Sequence, residues 1–411
     1  MLRMRRKYVN LRAGALLGPA FVAAIAYVDP GNVAANITAG AKYGYLLVWV
    51  LVVANGIAVM VQYQSAKLGV VTGRTLPQTL GDRLPGKSRL AFWAQAEVVA
   101  GATDIAEVIG GAVALHLLFG LPLPLGGAIV GVISIALLTT ANRRRQRQFE
   151  TIIVGLLAVI VVGFLAGLVV SPPDAGGVLG GMVPRLDGAE TVLLAASMLG
   201  ATVMPHAIYL HSSLVVDRHG APTTPHRIRK LLSATKVDVW VALVLAGIVN
   251  IALLVLAATS LYGHPGTESI EGAHDAVRDA LGPVVAGAFA VGLLASGIAS
   301  TSVGSYAGGA IMAGMLRKQF PMIVRRAVTL IPALIILAAG IDPTTALIVS
   351  QVVLSFGIPF AIIPLRRYTS DRALMGQFVD GPWLRWASVA AVVAVVVLNV
   401  ALIGLTVTGS G

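Results

Sequence analysis

The sequence predicts an all-α polytopic membrane protein. Two units of five helices stand in inverted relation, the first helix of each is broken at mid-span, and an eleventh helix is appended. Three observations predict this. Apolar runs of about 20 residues recur along the chain, each long enough to cross a hydrocarbon core of ~30 Å. Lys and Arg crowd into alternate loops. A pattern in which alanine stands four residues before proline, with Asp or Met just before that proline, occurs in the first run and again in the sixth.

Composition sets the class. Of 411 residues, 57% are hydrophobic and 12% charged, and mean hydropathy is +0.85. No stretch remains for a separate soluble domain, so residues 1–411 are read as one transmembrane domain. The chain has no cysteine, which excludes disulfides, thiolate metal sites and cysteine nucleophiles.

The spans follow in order, with bounds read from hydropathy. The first, 14–40, is uncharged on both sides of "AYVDPGN". The second is 45–68. The third, 90–119, carries Glu97, Asp104 and Glu107. Spans 122–140 and 151–170 are uninterrupted and close the first unit, 14–170. The sixth, 190–215, contains "GATVMPHAIYLHS". The seventh is 236–262, and the eighth, 281–316, is rich in small residues. Spans 323–341 and 344–365 close the second unit, 190–365. The eleventh is 384–408.

Loop charge supports this count. The N-terminus and the segments near 67–89, 143–147, 217–236, 317–326 and 366–385 hold 27 of the 30 Lys and Arg residues. The opposite side has only Lys42, Arg185 and Arg278, with eight acids. The positive-inside rule then puts the N-terminus in the cytoplasm and the C-terminus outside, in a multi-pass protein of the cytoplasmic membrane. The pI near 10.3 is a topology signal with weak attraction to anionic lipid; nucleic acid is not an expected partner. A cleaved signal peptide over the first 26 residues is the competing reading. It would leave ten spans and make the charge alternation accidental.

The breaks carry the chemistry. Ala26-Tyr27-Val28-Asp29-Pro30 and Ala201-Thr202-Val203-Met204-Pro205 lie 175 residues apart. Five spans separate their starts, so the second unit enters from the other face, as in inverted repeats. Proline has no N–H, so the carbonyl four residues back, Ala26 or Ala201, loses its helical partner. Irregular backbone at this depth is tolerated only where protein covers it or it lines a cavity. Ordinary proline kinks are the plain alternative, but two in matching positions, bearing Asp29 and Asn32 in one and Met204 and His206 in the other, favour a site. Its donors would be carboxylate, amide, two carbonyls and a thioether. Mg²⁺ and Ca²⁺ take oxygen alone, whereas Mn²⁺ and Fe²⁺ accept the mixture.

These segments resemble the two signature segments of the Nramp family of divalent metal transporters. The stretches at 103–115, 293–308 and 350–365 are similar to its third, eighth and tenth helices. The resemblance runs along nearly the whole chain. It implies a LeuT-like fold and proton-coupled import of Mn²⁺ or Fe²⁺, with no resident cofactor and with H⁺ as the coupling ion. It implies metal binding by Asp29, Asn32, Met204 and the Ala26 and Ala201 carbonyls, with Gln351 able to join. Ile298-Ala299-Ser300, Ala207 and Gly357 depart from residues common in the family.

Glu97, Asp104 and Glu107 fall within one arc of about 80° on a helix at 100° per residue, so that arc faces protein or water. A buried ion-pair network with Arg325 or Arg326 is one reading. The resemblance implies a proton path through Asp29, His206, Glu107, Asp104 and Glu97, with Arg326 as cationic partner. His206 has a packed, neutral alternative, and His211 is read as structural. Gly304-x-x-x-Gly308 is read as close helix packing.

Three rivals remain. A sodium-coupled organic solute carrier of the same fold would want an anion-complementary site. An intramembrane metalloenzyme would need a His-rich set such as HExxH, which the sequence lacks; the chain is read as no enzyme. A channel would give flux that neither saturates nor responds to a proton gradient. Oligomeric state leaves no mark in the sequence.

Overall fold

A computed structural model describes residues 18–138, 146–221, 224–317 and 321–408. The basic N-terminus through residue 17 and residues 143–145 of the basic cluster, used above for topology, lie outside the described residues. Among those described, every regular element is helical.

The first span is α1 (Pro19–Ile25), a 3-10 turn over Ala26–Val28, and α2 (Pro30–Tyr43). Then come α3 (Val48–Thr72), the short α4 (Leu76–Arg83), α5 (Gly86–Phe119), α6 (Leu123–Leu138) and α7 (Gln146–Val170). After the short α8 (Ala175–Gly180), the sixth span is split into α9 (Gly188–Thr202) and α10 (Pro205–His219). The remainder is α11 (Pro225–Ser260), α12 (Ile270–Leu281), α13 (Pro283–Leu316), α14 (Met322–Ala338), α15 (Pro343–Thr369), α16 (Arg372–Met375) and α17 (Pro382–Thr408). Every predicted span has its helix, in the predicted order, and the first and sixth are discontinuous.

The differences are at the ends. Helix α11 begins eleven residues before the predicted 236, with Thr224 capping the Arg227 amide and Pro225 at its first position. Hydropathy marks the apolar part of a helix, whereas backbone hydrogen bonding continues into the polar layer. The short helices α4, α12 and α16 start at polar caps that hydropathy cannot register. Thr75 and Gln78 form a reciprocal capping box, and Ser269 and Asp371 accept amides of their first turns.

The spans sort into two groups. Helices α1, α2 and α3 pack with α9, α10 and α11, while α5 and α6 pack with α13 and α14. Spans one and two thus meet their counterparts six and seven, and three and four meet eight and nine, as an inverted repeat requires. Helix α15 bridges the groups through α9 and α5, and α17 lies outside against α15 and α9. The outer surface is apolar: Val132, Val162, Val241, Val397 and Val400 are all exposed, which suits a hydrocarbon solvent.

Ion pairs form at both ends. Lys67–Asp380, Arg83–Asp371, Arg74–Asp82 and Arg317–Asp82 pair at one end, and Lys42–Glu190 and Arg278–Asp275 at the other. Lys67, counted above among loop charges, is instead buried in α3, with its Nζ 2.6 Å from Asp380.

Close approach of α9 and α15 depends on Gly200. A Cβ there would stand 2.0 Å from the Gln351 carbonyl oxygen, a backbone atom that cannot swing aside. Gly200→Ala is expected to lower stability by about 1–3 kcal/mol, read as a lower thermal midpoint of the detergent-purified protein. An unchanged midpoint would mean that the two helices separate at no cost.

Candidate metal-binding site

Both breaks follow from proline. Asp29 is extended (φ −73°, ψ 167°) and caps α2, whose first residue is Pro30. Met204 (φ −64°, ψ 118°) caps α10, whose first residue is Pro205. This is the backbone geometry that a following proline favours. Both side chains are fully buried.

The breaks touch through Asn32. Asp29 Oδ1 accepts from the Asn32 backbone N–H at 2.8 Å and from Asn32 Nδ2 at 2.7 Å. Asn32 Nδ2 also donates to the Ala201 carbonyl at 3.0 Å, the oxygen to which Pro205 can offer no N–H. Thr202 Oγ1 donates to Asn32 Oδ1 at 3.4 Å, and Gln351 Nε2 donates to Asp29 Oδ2 at 3.4 Å. The amide hydrogens of Asn32 therefore supply the positive charge faced by one carboxylate oxygen and one carbonyl. Ala26 opens the 3-10 turn three residues before Asp29 and is buried, and Met204 follows Ala201 by three residues in the other break. Gly31 makes room for Gln351: a Cβ there would stand 1.8 Å from its Nε2.

Several supporting residues escaped the sequence reading. Ser296 Oγ donates to the Val28 carbonyl at 2.5 Å, and Asn250 Nδ2 to the Tyr27 carbonyl at 2.6 Å, satisfying backbone that the break exposes. Asn36 Nδ2 donates to Asn250 Oδ1 at 2.9 Å. Gln62 Nε2 donates to the Tyr27 hydroxyl, and its Oε1 lies 2.8 Å from His211 Nδ1, while His211 Nε2 is buried without a hydrogen-bond partner. The available signal was an amide side chain inside an apolar run: Gln62, and Asn250 in "GIVNIALL".

Of the acidic arc of α5, Asp104 and Glu107 are buried and Glu97 is partly exposed. Asp104 pairs with Arg326 Nη1 at 3.1 Å and with Arg325 Nη1 at 3.5 Å, and Arg325 Nε donates to Glu97 at 2.9 Å. Arg326 Nε donates to Ser134 at 2.9 Å. Glu107 is 1% exposed and neither carboxylate oxygen has a hydrogen-bond partner. His206 Nδ1 lies 3.2 Å from Thr103 Oγ1, and its Nε2 is buried without a partner. The ion-pair network is thus present, with Arg325 as a second cation, while Glu107 and His206 each keep unused hydrogen-bonding capacity. The Gly304/Gly308 pair clears space for this network as well as for packing. A Cβ at Gly304 would lie 3.0 Å from Glu107 Oε1, and one at Gly308 2.0 Å from the Arg325 guanidinium carbon.

The family model for Nramp, "Natural resistance-associated macrophage protein-like", matches residues 20–405. The chain belongs to the Nramp family. It is 58% identical over 394 residues to the divalent metal cation transporter MntH of Mycobacterium tuberculosis, covering 96% of this chain and 92% of the relative. A crystal structure of a variant of the Eremococcus coleocola manganese transporter superposes with a TM-score of 0.85 at 30% identity, covering 97% of this chain and 87% of that one. The fold reaches further, to the nucleobase-cation-symport transporter Mhp1, with a TM-score of 0.61 at 18% identity over 96% of this chain and 93% of that one. This Nramp chain is therefore LeuT-like in architecture. Among its described residues no three His, Cys, Asp or Glu side chains assemble into a metal cluster. The donors gathered at the breaks are a single carboxylate, amides and a carbonyl.

Proposed function

We propose that the protein is a proton-coupled secondary transporter that imports divalent transition metal ions, Mn²⁺ and also Fe²⁺, by alternating access. The observation that carries this reading is the meeting of the two breaks. Asp29 and the Ala201 carbonyl face one point, held by Asn32 at 2.7 Å and 3.0 Å. Rotating the Asn32 amide half a turn would present its oxygen to that same point, where a cation replaces the amide hydrogens. Met204, Gln351 and the Ala26 carbonyl complete the proposed shell. The relatives' names, a divalent metal cation transporter and a manganese transporter, support the substrate class.

Metal binds the deprotonated carboxylate, so loading Asp29 releases a proton. The proposed path takes that proton through His206 and Glu107 to Asp104 and Glu97, with Arg326 and Arg325 balancing charge. The group of α1, α2, α3, α9, α10 and α11 would rock against the group of α5, α6, α13 and α14. The whole chain acts as one transmembrane transporter domain of two repeats, 14–170 and 190–365, plus the helix at 384–408. The crowding of Lys and Arg into alternate loops of the sequence supports a cytoplasmic N-terminus and an external C-terminus in the cytoplasmic membrane. No cofactor enters this scheme.

The test is Mn²⁺ influx into proteoliposomes with and without an inward proton gradient, under excess Mg²⁺. Saturable influx stimulated by the gradient is expected. Influx indifferent to the gradient would remove the proton coupling and leave the metal site; an absence of influx would return the reading to an organic solute carrier. In the same assay Met204→Ala is expected to lose Mn²⁺ selectivity, with Mg²⁺ becoming a competitor by about tenfold, because only the thioether disfavours an all-oxygen cation. Unchanged Mg²⁺ competition would take Met204 out of the shell.

A further inference from the structure

A cavity of about 370 Å³ lies where the start of α1 meets α10 and α11, away from the breaks. Arg218, His219, Arg227 and Lys230 line it with positive or protonatable groups, and Val215, Leu231 and Ala234 line it with apolar surface. On α11, residues 227, 230, 231, 234 and 238 recur at the spacing of one helix face. The acid of this face, Asp238, is turned to α1: its carboxylate accepts from the Gly18 N–H at 3.0 Å and the Ala20 N–H at 3.1 Å. It satisfies amides that a helix start leaves open, and Arg227 and Lys230, on the same helix, still outnumber it. The adjoining face of α11 presents Val237, Trp240 and Val241 outward, each more than half exposed, as a helix facing acyl chains does. The cavity therefore sits at a polar–apolar boundary, basic toward one side and greasy toward the other.

We propose that this junction binds a phosphate group, supplied by the headgroup of an anionic phospholipid whose glycerol and upper acyl chain lie along Leu231 and Ala234. Guanidinium and ammonium donors suit phosphate oxygens, and basic pockets between transmembrane helices are sites for acidic headgroups. The apolar lining favours a lipid over a freely soluble phosphate, which has nothing to place there.

The test uses the full-length protein in nanodiscs of phosphatidylcholine with a minor fraction of phosphatidylglycerol, with retained lipid counted by native mass spectrometry. Arg227→Gln with Lys230→Gln is expected to weaken phosphatidylglycerol retention by about thirtyfold, or ~1 kcal/mol for each basic residue. Arg229→Gln with Lys236→Gln removes the same charge from exposed positions of α11 outside the cavity, and should retain the lipid. Equal loss in both pairs would overturn the proposal in favour of bulk surface charge. In a second arm, inorganic phosphate is added to lipid-free protein in detergent. A rise in thermal midpoint that depends on Arg227 and Lys230, without lipid retention, would keep the phosphate site and overturn the lipid as its source. No retention and no rise would overturn both.

Discussion

Asp29→Asn is expected to weaken Mn²⁺ binding by about a hundredfold or more and to stop uptake. The change preserves shape and most of the local bonding. An asparagine at this position still accepts through Oδ1 from the Asn32 amides, which lie at 2.8 Å and 2.7 Å from the present carboxylate. Its new NH₂ would face Gln351 Nε2, donor against donor, where Asp29 Oδ2 now accepts at 3.4 Å. Gln351 Oε1 is buried without a partner, so turning that amide restores the bond. The fold should survive, and what is lost is charge. Altering residues that merely orient metal ligands already costs 10–100-fold, and Asp29 is the only carboxylate in the proposed shell. Isothermal titration of the purified variant with Mn²⁺, beside its thermal midpoint, separates a binding defect from a folding defect. Wild-type affinity in a folded variant would move the metal elsewhere.

The second large effect is structural. Arg326 is fully buried, with Nη1 3.1 Å from Asp104 Oδ1 and Nε donating to Ser134. Arg326→Met leaves Asp104 to Arg325 alone, at 3.5 Å, with Glu107 buried on the same helix. Removing one partner of a buried pair strands the other's charge, at a cost of about 3–5 kcal/mol. Asp104→Asn combined with Arg326→Met removes both charges and should recover most of the loss. Reversible unfolding in mixed detergent and denaturant, run as a double-mutant cycle, measures the coupling. Additive losses would mean that the two groups do not support one another, and would leave Arg326 serving only Ser134.

The two expectations differ in where they could be read. Asp29 was legible in the sequence because an acid before a proline inside an uncharged run has few explanations, and because Met204 stands at the matching place 175 residues on. The acidic arc of α5 was legible for the same reason, since helical periodicity is local. Its partners were not fully so. Arg325 and Arg326 are adjacent in sequence, and only packing shows that one reaches Glu97 and Asp104 while the other reaches Asp104 and Ser134. Ser296 and Asn250, which hold the carbonyls of the first break, lie more than 200 residues away from it. The glycine pair of α13 shows the same limit, because its spacing announces a close approach without naming Glu107 and Arg325 as what approaches.

By itself, the sequence determined the class of the protein, the order of its helices, and the two breaks with the Asp, Asn, Met and His they carry. Each of these rests on solvent preference or on proline's missing N–H, which act on the chain locally. Only the tertiary structure decided that Asn32 joins the two breaks, that Lys67 is buried against Asp380, and that a basic cavity opens beside α1. These are meetings of distant segments, set by which helices pack together and by the burial that lets a polar group be satisfied only by its neighbour.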